Sequence, residues 1–360
     1  MPRLPTALLF PLALLCACSA EPPQGRTPYT PSAAMMPILS ERRAMHAMEM
    51  SNLSISRARE VPALIDAANA IPNVKGDPAG MTGVPQVTTL TASGAEGALP
   101  ARLFRPTLAK NTPAILYFPG GTWVTGSLDQ YDESARQLAA RTGWVVVMLR
   151  TRLAPEAQFP AEHDDAFALY QWARAHLREW GGDPTRVVLA GEGPGANLAL
   201  STALQARDNA ARGSAVAVPD QLVLITPLMG TSTSTRSMSE NGGSRPLSRA
   251  TVRWAQNRYA PDDLSDPRID LAARNDFAGL PPTIFVLAEI DPLRSGAETV
   301  AGKLSAAGVP TQSRLFAGTT YDFFGLGMDV PEAAAAEDYA AQRLRAGFNR
   351  TVLPPPPRLR

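Results

Sequence analysis

A glycine-dense turn, Gly191-Glu192-Gly193-Pro194-Gly195, follows the apolar run Val187-Val188-Leu189-Ala190 and leads into the helical pattern Asn197-Leu198-Ala199-Leu200. Strand, sharp turn and helix in that order form the setting of the G-x-S-x-G elbow, which holds a nucleophilic hydroxyl clear of a sheet. The central position here is Gly193, which has no side chain, so acyl transfer from this turn lacks its nucleophile. The chain has three histidines that could act as a base. His46 lies in an N-terminal helical region, His163 opens a helix beside Asp164-Asp165, and His176 sits further along it. None ends a strand, and structural or solvent roles are the reading for all three. Thr319 and Thr320 carry hydroxyls, but a threonine without an adjacent base is a poor nucleophile. Tyr321 follows them; its phenol can donate a hydrogen bond or exchange a proton, or its ring can simply fill space. Dispersed histidines and the lack of an H-E-x-x-H run argue against a metal site, and no Walker or dinucleotide pattern points to a cofactor.

The elements around these residues alternate. Apolar runs at 114–118, 144–149, 187–190, 222–225, 283–287 and 313–316 are separated by helical patterns at 131–141 and 161–180 and from 196, 295 and 331 onward. Continuous apolar strands alternating with helices predict βαβ crossovers and a mostly parallel sheet buried on both faces. Two strands at 86–91 and 101–104, joined by the turn-rich Ser93-Gly94-Ala95-Glu96-Gly97, predict an opening hairpin. Helical spacing through Ile38-Leu39, Met45 and Met48, and again through Leu64-Ile65 and Ala68, predicts two N-terminal helices. A Ser/Thr/Gly-rich loop at 232–244, followed by a helix at 248–259, interrupts the rhythm and reads as an insertion above the sheet's carboxyl edge, where doubly wound folds bind ligands. The fold class is therefore α/β.

Both ends of the chain read differently from its body. Arg3 and the short apolar stretch 7–15 have the form of an export signal and are too short for a transmembrane helix. Leu15-Cys16-Ala17-Cys18 followed by Ser19 resembles the lipobox of bacterial lipoproteins, which places lipidation at Cys18 and predicts a membrane anchor, with the protein on the outer-membrane or periplasmic side. The alternative is a plain secretory signal cut after Ala20, giving a soluble periplasmic or secreted protein. Both cysteines lie in this segment, so the rest of the chain has no disulfide. The expected division is a signal over 1–20, a proline-rich tether over 21–33, N-terminal cap helices over 34–76, an α/β domain over 77–350 with a cap insertion at about 230–262, and a proline-rich tail over 351–360. With a net charge of +1 and no basic stripe, nucleic-acid binding is unsupported.

The body also carries an ordered set of motifs: Tyr117-Phe118 before Gly120-Gly121 and Trp123, then Arg152-Leu153-Ala154-Pro155-Glu156 with Phe159-Pro160-Ala161. Gly181-Gly182-Asp183-Pro184, the elbow frame, Asp291-Pro292-Leu293-Arg294 and Ala307-Gly308-Val309-Pro310 follow in turn. In this order and spacing the chain, from about Ser54 to Phe348, resembles the hormone-sensitive-lipase-like branch of the α/β-hydrolases, the fold-3 esterases. The resemblance implies an α/β-hydrolase fold and a Ser-His-Asp site acting on short or medium acyl esters. It places the nucleophile at Gly193, the base at Tyr321 and the acid at Asp291, of which only Asp291 has the family's residue type. The oxyanion donors fall on the N–H groups of Gly120 and Gly121 and on Pro194, which has no N–H. The family's HGGGW run reads Pro119-Gly120-Gly121-Thr122-Trp123.

Three readings follow from the resemblance. The first is an exported family member without serine esterase activity, whose pocket binds a small apolar or acyl-like ligand or steadies a partner. The second is a carboxylic ester hydrolase with residual activity or a non-standard mechanism. The third is a non-hydrolytic lyase or cyclase in which Tyr321 and Asp291 serve proton transfer; without catalysis, the two are expected as a hydrogen-bonded pair. Glycine occupies a strained elbow with little penalty, so the frame is expected to keep its trace, with an altered turn at Gly193-Pro194.

Overall fold

The computed structural model describes residues 28–72, 86–106 and 110–350. The signal segment with Cys18, most of the tether and the tail lie outside those residues. Where two N-terminal helices were expected there are three short ones, α1 (Met35–Ala44), α2 (Ile55–Arg59) and α3 (Leu64–Ala70). The first apolar pattern breaks because His46 adopts a left-handed φ of 57° just after α1. The chain restarts at Ser54, whose hydroxyl accepts from the Arg57 N–H and so caps α2.

The hairpin is longer and tighter than its sequence pattern suggested. Strands β1 (Gln86–Gly94) and β2 (Gly97–Arg105) pair antiparallel down to Gly94 opposite Gly97, leaving only Ala95 and Glu96 in the turn. Then come β3 (Thr112–Phe118), α4 (Asp132–Thr142), β4 (Val145–Leu149), α5 (Ala161–His176), β5 (Gly182–Glu192), α6 (Pro194–Ala211) and β6 (Gln221–Ile225). The loop expected at 232–244 contains a helix, α7 (Arg236–Asn241), because the Thr235 hydroxyl accepts from the Met238 N–H and starts it. After it follow α8 (Arg249–Tyr259), β7 (Thr283–Ile290), α9 (Arg294–Ala306), β8 (Thr311–Thr320) and α10 (Pro331–Arg350).

The eight strands form one sheet in the order β1-β2-β4-β3-β5-β6-β7-β8. The hairpin joins antiparallel through β2 to β4, and every pairing from β4 to β8 is parallel. Alternate residues of each central strand feed two cores. On β3, Ala114, Leu116 and Phe118 pack with α5 and α6, while Ile115 and Tyr117 pack on the other face with α4 and α10. Each fully buried large aliphatic side chain contributes roughly 1.5–3 kcal/mol, and burial on both faces explains why these strands read as unbroken apolar runs.

A third cluster sits above the carboxyl edge of the sheet. It joins Ala58 of α2, Trp123, Leu228, residues of α7 and α8, and Tyr321. Trp123 and Tyr259 stack with ring centroids 4.5 Å apart. α2 and the insertion thus form one apolar cover, to which the tyrosine after β8 belongs, while α1 and α3 pack into the core on the α4 and α10 face.

Candidate active site

The elbow is built by backbone. Gly193 has φ 50° and ψ −119°, and Pro194 begins α6 directly after it. The Gly193 N–H donates to the Ile225 carbonyl at 2.9 Å, and its own carbonyl accepts from the Leu228 N–H at 3.0 Å. A Cβ on Gly191 would lie 2.3 Å from the Gly195 carbonyl oxygen, and one on Gly195 would lie 2.2 Å from that of Phe118. Both flanking glycines are therefore required by close approach. Pro194 fits because the first helical position has no intrahelical use for an N–H. The turn at Gly193-Pro194 therefore combines a left-handed φ with no side chain at 193 and no N–H at 194.

Tyr321 occupies the space above Gly193. A Cβ built on Gly193 would stand 2.0 Å from the Tyr321 phenol oxygen, closer than any real side chain is found. The phenol donates to the Gly121 carbonyl at 2.9 Å. Burial, followed by the charges of Asp322 and Asp291, pushes its pKa well above the ordinary tyrosine value, so it is a neutral donor rather than a phenolate nucleophile.

The glycine loop is equally crowded. Gly121 has φ 119°, and a Cβ there would meet the Thr125 carbonyl oxygen at 2.1 Å. At Gly120 a Cβ would meet the Tyr131 hydroxyl at 2.6 Å. Trp123 takes a left-handed φ of 68° immediately after the loop. Between this loop, Tyr321, Asp322 and the buried Arg42 lies a cavity of about 40 Å³, enough for water or a very small group.

Asp291 is buried at the end of β7, and its Oδ1 accepts from the Leu293 N–H at 2.8 Å. Burial raises its pKa to about 7, against the lowering effects of that bond and of Arg294. The hydrogen-bonded pair expected between Asp291 and Tyr321 is not formed: the phenol reaches past the acid to Gly121. A tyrosine hydroxyl extends further from the backbone than an imidazole nitrogen, and it stops only where the missing Gly193 side chain leaves room. Thr319 and Thr320 are buried with their hydroxyls on the carbonyls of Phe316 and Tyr321, at 2.8 and 3.2 Å.

Two of the histidines, His163 and His176, have structural roles, while His46 is exposed. His163 is buried, with one ring nitrogen 2.6 Å from the Tyr259 hydroxyl and the other 3.1 Å from both the Asn197 side-chain oxygen and the Arg268 carbonyl. Burial lowers its pKa to about 4, so it is a neutral brace between α5, α6 and the insertion. His176 caps its own helix through the Trp172 carbonyl at 2.8 Å and stacks on Trp180.

Sequence reasoning missed two carboxylates beside the site. Glu192 is buried against the Tyr117 hydroxyl, and its Oε2 has no hydrogen bond among the described residues. Asp322, at φ 68°, accepts from the Tyr131 hydroxyl at 2.7 Å. Burial first, and for Glu192 then the charge of Asp322, raises the pKa of both. Each adjoins a position already singled out, and a carboxylate flanked by apolar core residues was the available signal. Among the described residues no group of three or more potential ligands could hold a metal.

Comparison with known proteins places this geometry. A family model described as the alpha/beta hydrolase fold matches residues 115–325. A carboxylic ester hydrolase of Mycobacterium tuberculosis (LipN) is 33% identical over 268 residues, covering 73% of this chain and 71% of that protein. An ethyl acetate hydrolase of Pseudomonas putida is 33% identical over 240 residues, covering 65% of this chain and 74% of that protein. The crystal structure of a hyperthermophilic esterase from Pyrobaculum calidifontis superposes with a TM-score of 0.78 at 28% identity, covering 88% of this chain and 98% of that one. The chain belongs to the α/β-hydrolase family, in its hormone-sensitive-lipase-like esterase branch.

Proposed function

We propose that this protein binds carboxylic esters or their acid products without forming an acyl-enzyme at the elbow. The observation that supports this most is the 2.0 Å approach of the Tyr321 oxygen to a Cβ on Gly193. The nucleophile's place is filled by a neutral phenol, and the N–H that would follow it is replaced by Pro194. Losing one oxyanion donor alone lowers turnover by about two to three decades. The ligand that reaches the elbow cavity of about 40 Å³ is a small apolar or acyl group.

The names of the relatives favour the second reading, carboxylic ester hydrolysis, over a purely binding role. In that reading the Tyr321 phenol turns its one proton from the Gly121 carbonyl, 2.9 Å away, to the ester carbonyl; water adds to that carbon, the ester C–O bond breaks, and the alcohol leaves with a proton from the water. Neither of these two names favours the lyase or cyclase alternative.

One experiment separates the readings. The protein is incubated with p-nitrophenyl acetate and, separately, with a fluorophosphonate probe. Binding without turnover gives neither product nor label. Direct hydrolysis gives product above a heat-treated control, again without label. Covalent labelling would refute both forms of the proposal. We also propose export with lipid attachment at Cys18, supported by the Leu15-Cys16-Ala17-Cys18 sequence alone. Cys18→Ala is then expected to abolish incorporation of radiolabelled palmitate in cells; retained labelling rejects it.

A further inference from the structure

A second cavity, of about 530 Å³, lies beside the elbow cavity and shares Arg59 and Gln130 with it. Its walls include Arg59, Ser127, Gln130, Arg150, Arg152 and Glu156. Three arginines on one cavity suggest an anion site only if some of that charge is unspent. Arg59 is spent: it binds both Glu156 oxygens, at 2.9 and 2.6 Å, and the carbonyls of Val124 and Ala154. Arg152 is spent as well, on the buried Asp165 and on Glu96.

Arg150 is different. It directly follows β4, so it stands at the carboxyl end of a parallel strand next to β3, whose own end leads into the Gly120-Gly121 loop. The residue is half-buried, yet among the described residues its guanidinium makes no hydrogen bond or ion pair. The charges nearest it are the buried Glu162 and the already paired Arg59. The Gln130 side chain also lacks a hydrogen bond within the described protein; only its backbone N–H is engaged, with the Ser127 hydroxyl at 3.3 Å. A guanidinium withdrawn from water with Glu162 acting on it only at a distance, and with none of its N–H donors engaged, is unfavourable, and its planar fork matches the two oxygens of a carboxylate.

We propose that the Arg150 cavity is a binding site for a monocarboxylate, gripped by the Arg150 guanidinium with Gln130 as a second donor. The unspent guanidinium fork accommodates one carboxylate, and the carboxyl groups of Glu162 near Arg150 and Glu156 at the rim disfavour a dianion such as phosphate. The cavity is roomy enough for the carboxylate's apolar tail, which can extend past Gln130 toward Gly121 and Tyr321. The site does not depend on whether the protein hydrolyses esters.

Titration calorimetry with hexanoate, hexanamide and inorganic phosphate tests this on the whole protein. Hexanoate is expected to bind at least tenfold more tightly than hexanamide or phosphate. Arg150→Gln is expected to weaken hexanoate at least tenfold, with Arg150→Lys recovering part of the loss, and to leave the melting temperature unchanged or raised. Equal binding of acid and amide, equal binding of phosphate, undetectable hexanoate binding at millimolar concentration, or an Arg150→Gln protein that binds as before would each overturn the proposal. Should Arg150→Gln melt lower, Gln130→Ala provides the second reading: a hexanoate affinity weakened severalfold supports the site, and an unchanged one rejects it.

Discussion

The ends of β5 and β8 meet at one point of the molecule and are held there by different means. At the end of β5 the turn is fixed by two backbone hydrogen bonds and by flanking glycines that no larger residue could replace. At the end of β8 the chain turns through Tyr321 and a left-handed Asp322; one backbone bond, from the Tyr321 N–H to the Ile290 carbonyl at 3.4 Å, is joined there by side-chain bonds to Gly121 and Tyr131. A frame built from backbone contacts does not depend on which side chain its central position carries, because nothing in its construction uses one. A position held by side chains depends on the identity of each of them.

The sharpest test of that contrast restores the chemistry on the untouched frame. A Gly193→Ser, Pro194→Ala, Tyr321→His protein is expected to hydrolyse p-nitrophenyl acetate and to label with fluorophosphonate. Keeping Pro194 in the same background should lower kcat by about 100- to 1000-fold, the usual effect of one missing oxyanion donor. If the triple variant folds with a native circular dichroism spectrum and has no activity, the frame has drifted along with its side chains.

Gly193→Ser alone tests the packing side of the comparison. The new Cβ meets the Tyr321 oxygen at 2.0 Å and must adopt a left-handed φ. Overpacking and backbone strain each cost about 1–3 kcal/mol, so urea denaturation should show a loss of about 2–6 kcal/mol. Adding Tyr321→His should recover more than half of it. A freely tolerated serine would mean that the tyrosine swings aside easily, and the site would then open to larger ligands.

How much of this was legible in the sequence differs between the same two regions. The parallel sheet and the elbow were, because strands buried on both faces leave continuous apolar runs and a close-packed turn leaves glycines at fixed spacing. Strand ends were less so: β8 extends to Thr320 through Ala317-Gly318-Thr319-Thr320, which leave no apolar run although the last three are buried. The route of Tyr321 was not legible, because whether a phenol reaches Asp291 or Gly121 depends on space three strands away. Nor was the idle state of Arg150, since counting arginines says nothing of which ones are paired.

Protonation gives a test in which the two kinds of buried group oppose each other. Asp291 has a folded pKa of about 7, above its unfolded value of about 3.9. Its protonated form is the one favoured by folding, so stability is lost as pH rises from about 4 through 7, by up to about 4 kcal/mol. His163 works in the other direction: with a folded pKa of about 4, it withdraws stability as pH falls from about 6.5 toward 4. Glu192, Asp322 and Glu337 are raised as Asp291 is, so the carboxylates outweigh the histidine. Urea midpoints should therefore be higher at pH 5.5 than at pH 8, and Asp291→Asn should flatten part of that slope. A protein more stable at pH 8 than at 5.5 would place these carboxylates in contact with water.

The smallest effect is the most selective between readings. Tyr321→Phe removes one hydroxyl and leaves the ring in its apolar cluster, so the Gly121 carbonyl loses its donor and little else changes. The stability loss should be about 1 kcal/mol, the usual net value of one neutral hydrogen bond, and it is read from the urea midpoint at constant slope. The same variant asks whether the phenol does chemistry. If the parent protein hydrolyses p-nitrophenyl acetate through a Tyr321 donor, the phenylalanine form should lose about 100-fold or more in kcat with KM little changed. If turnover survives the loss of the hydroxyl, the phenol is packing, and the end of β8 has kept its place in the fold while leaving the reaction altogether.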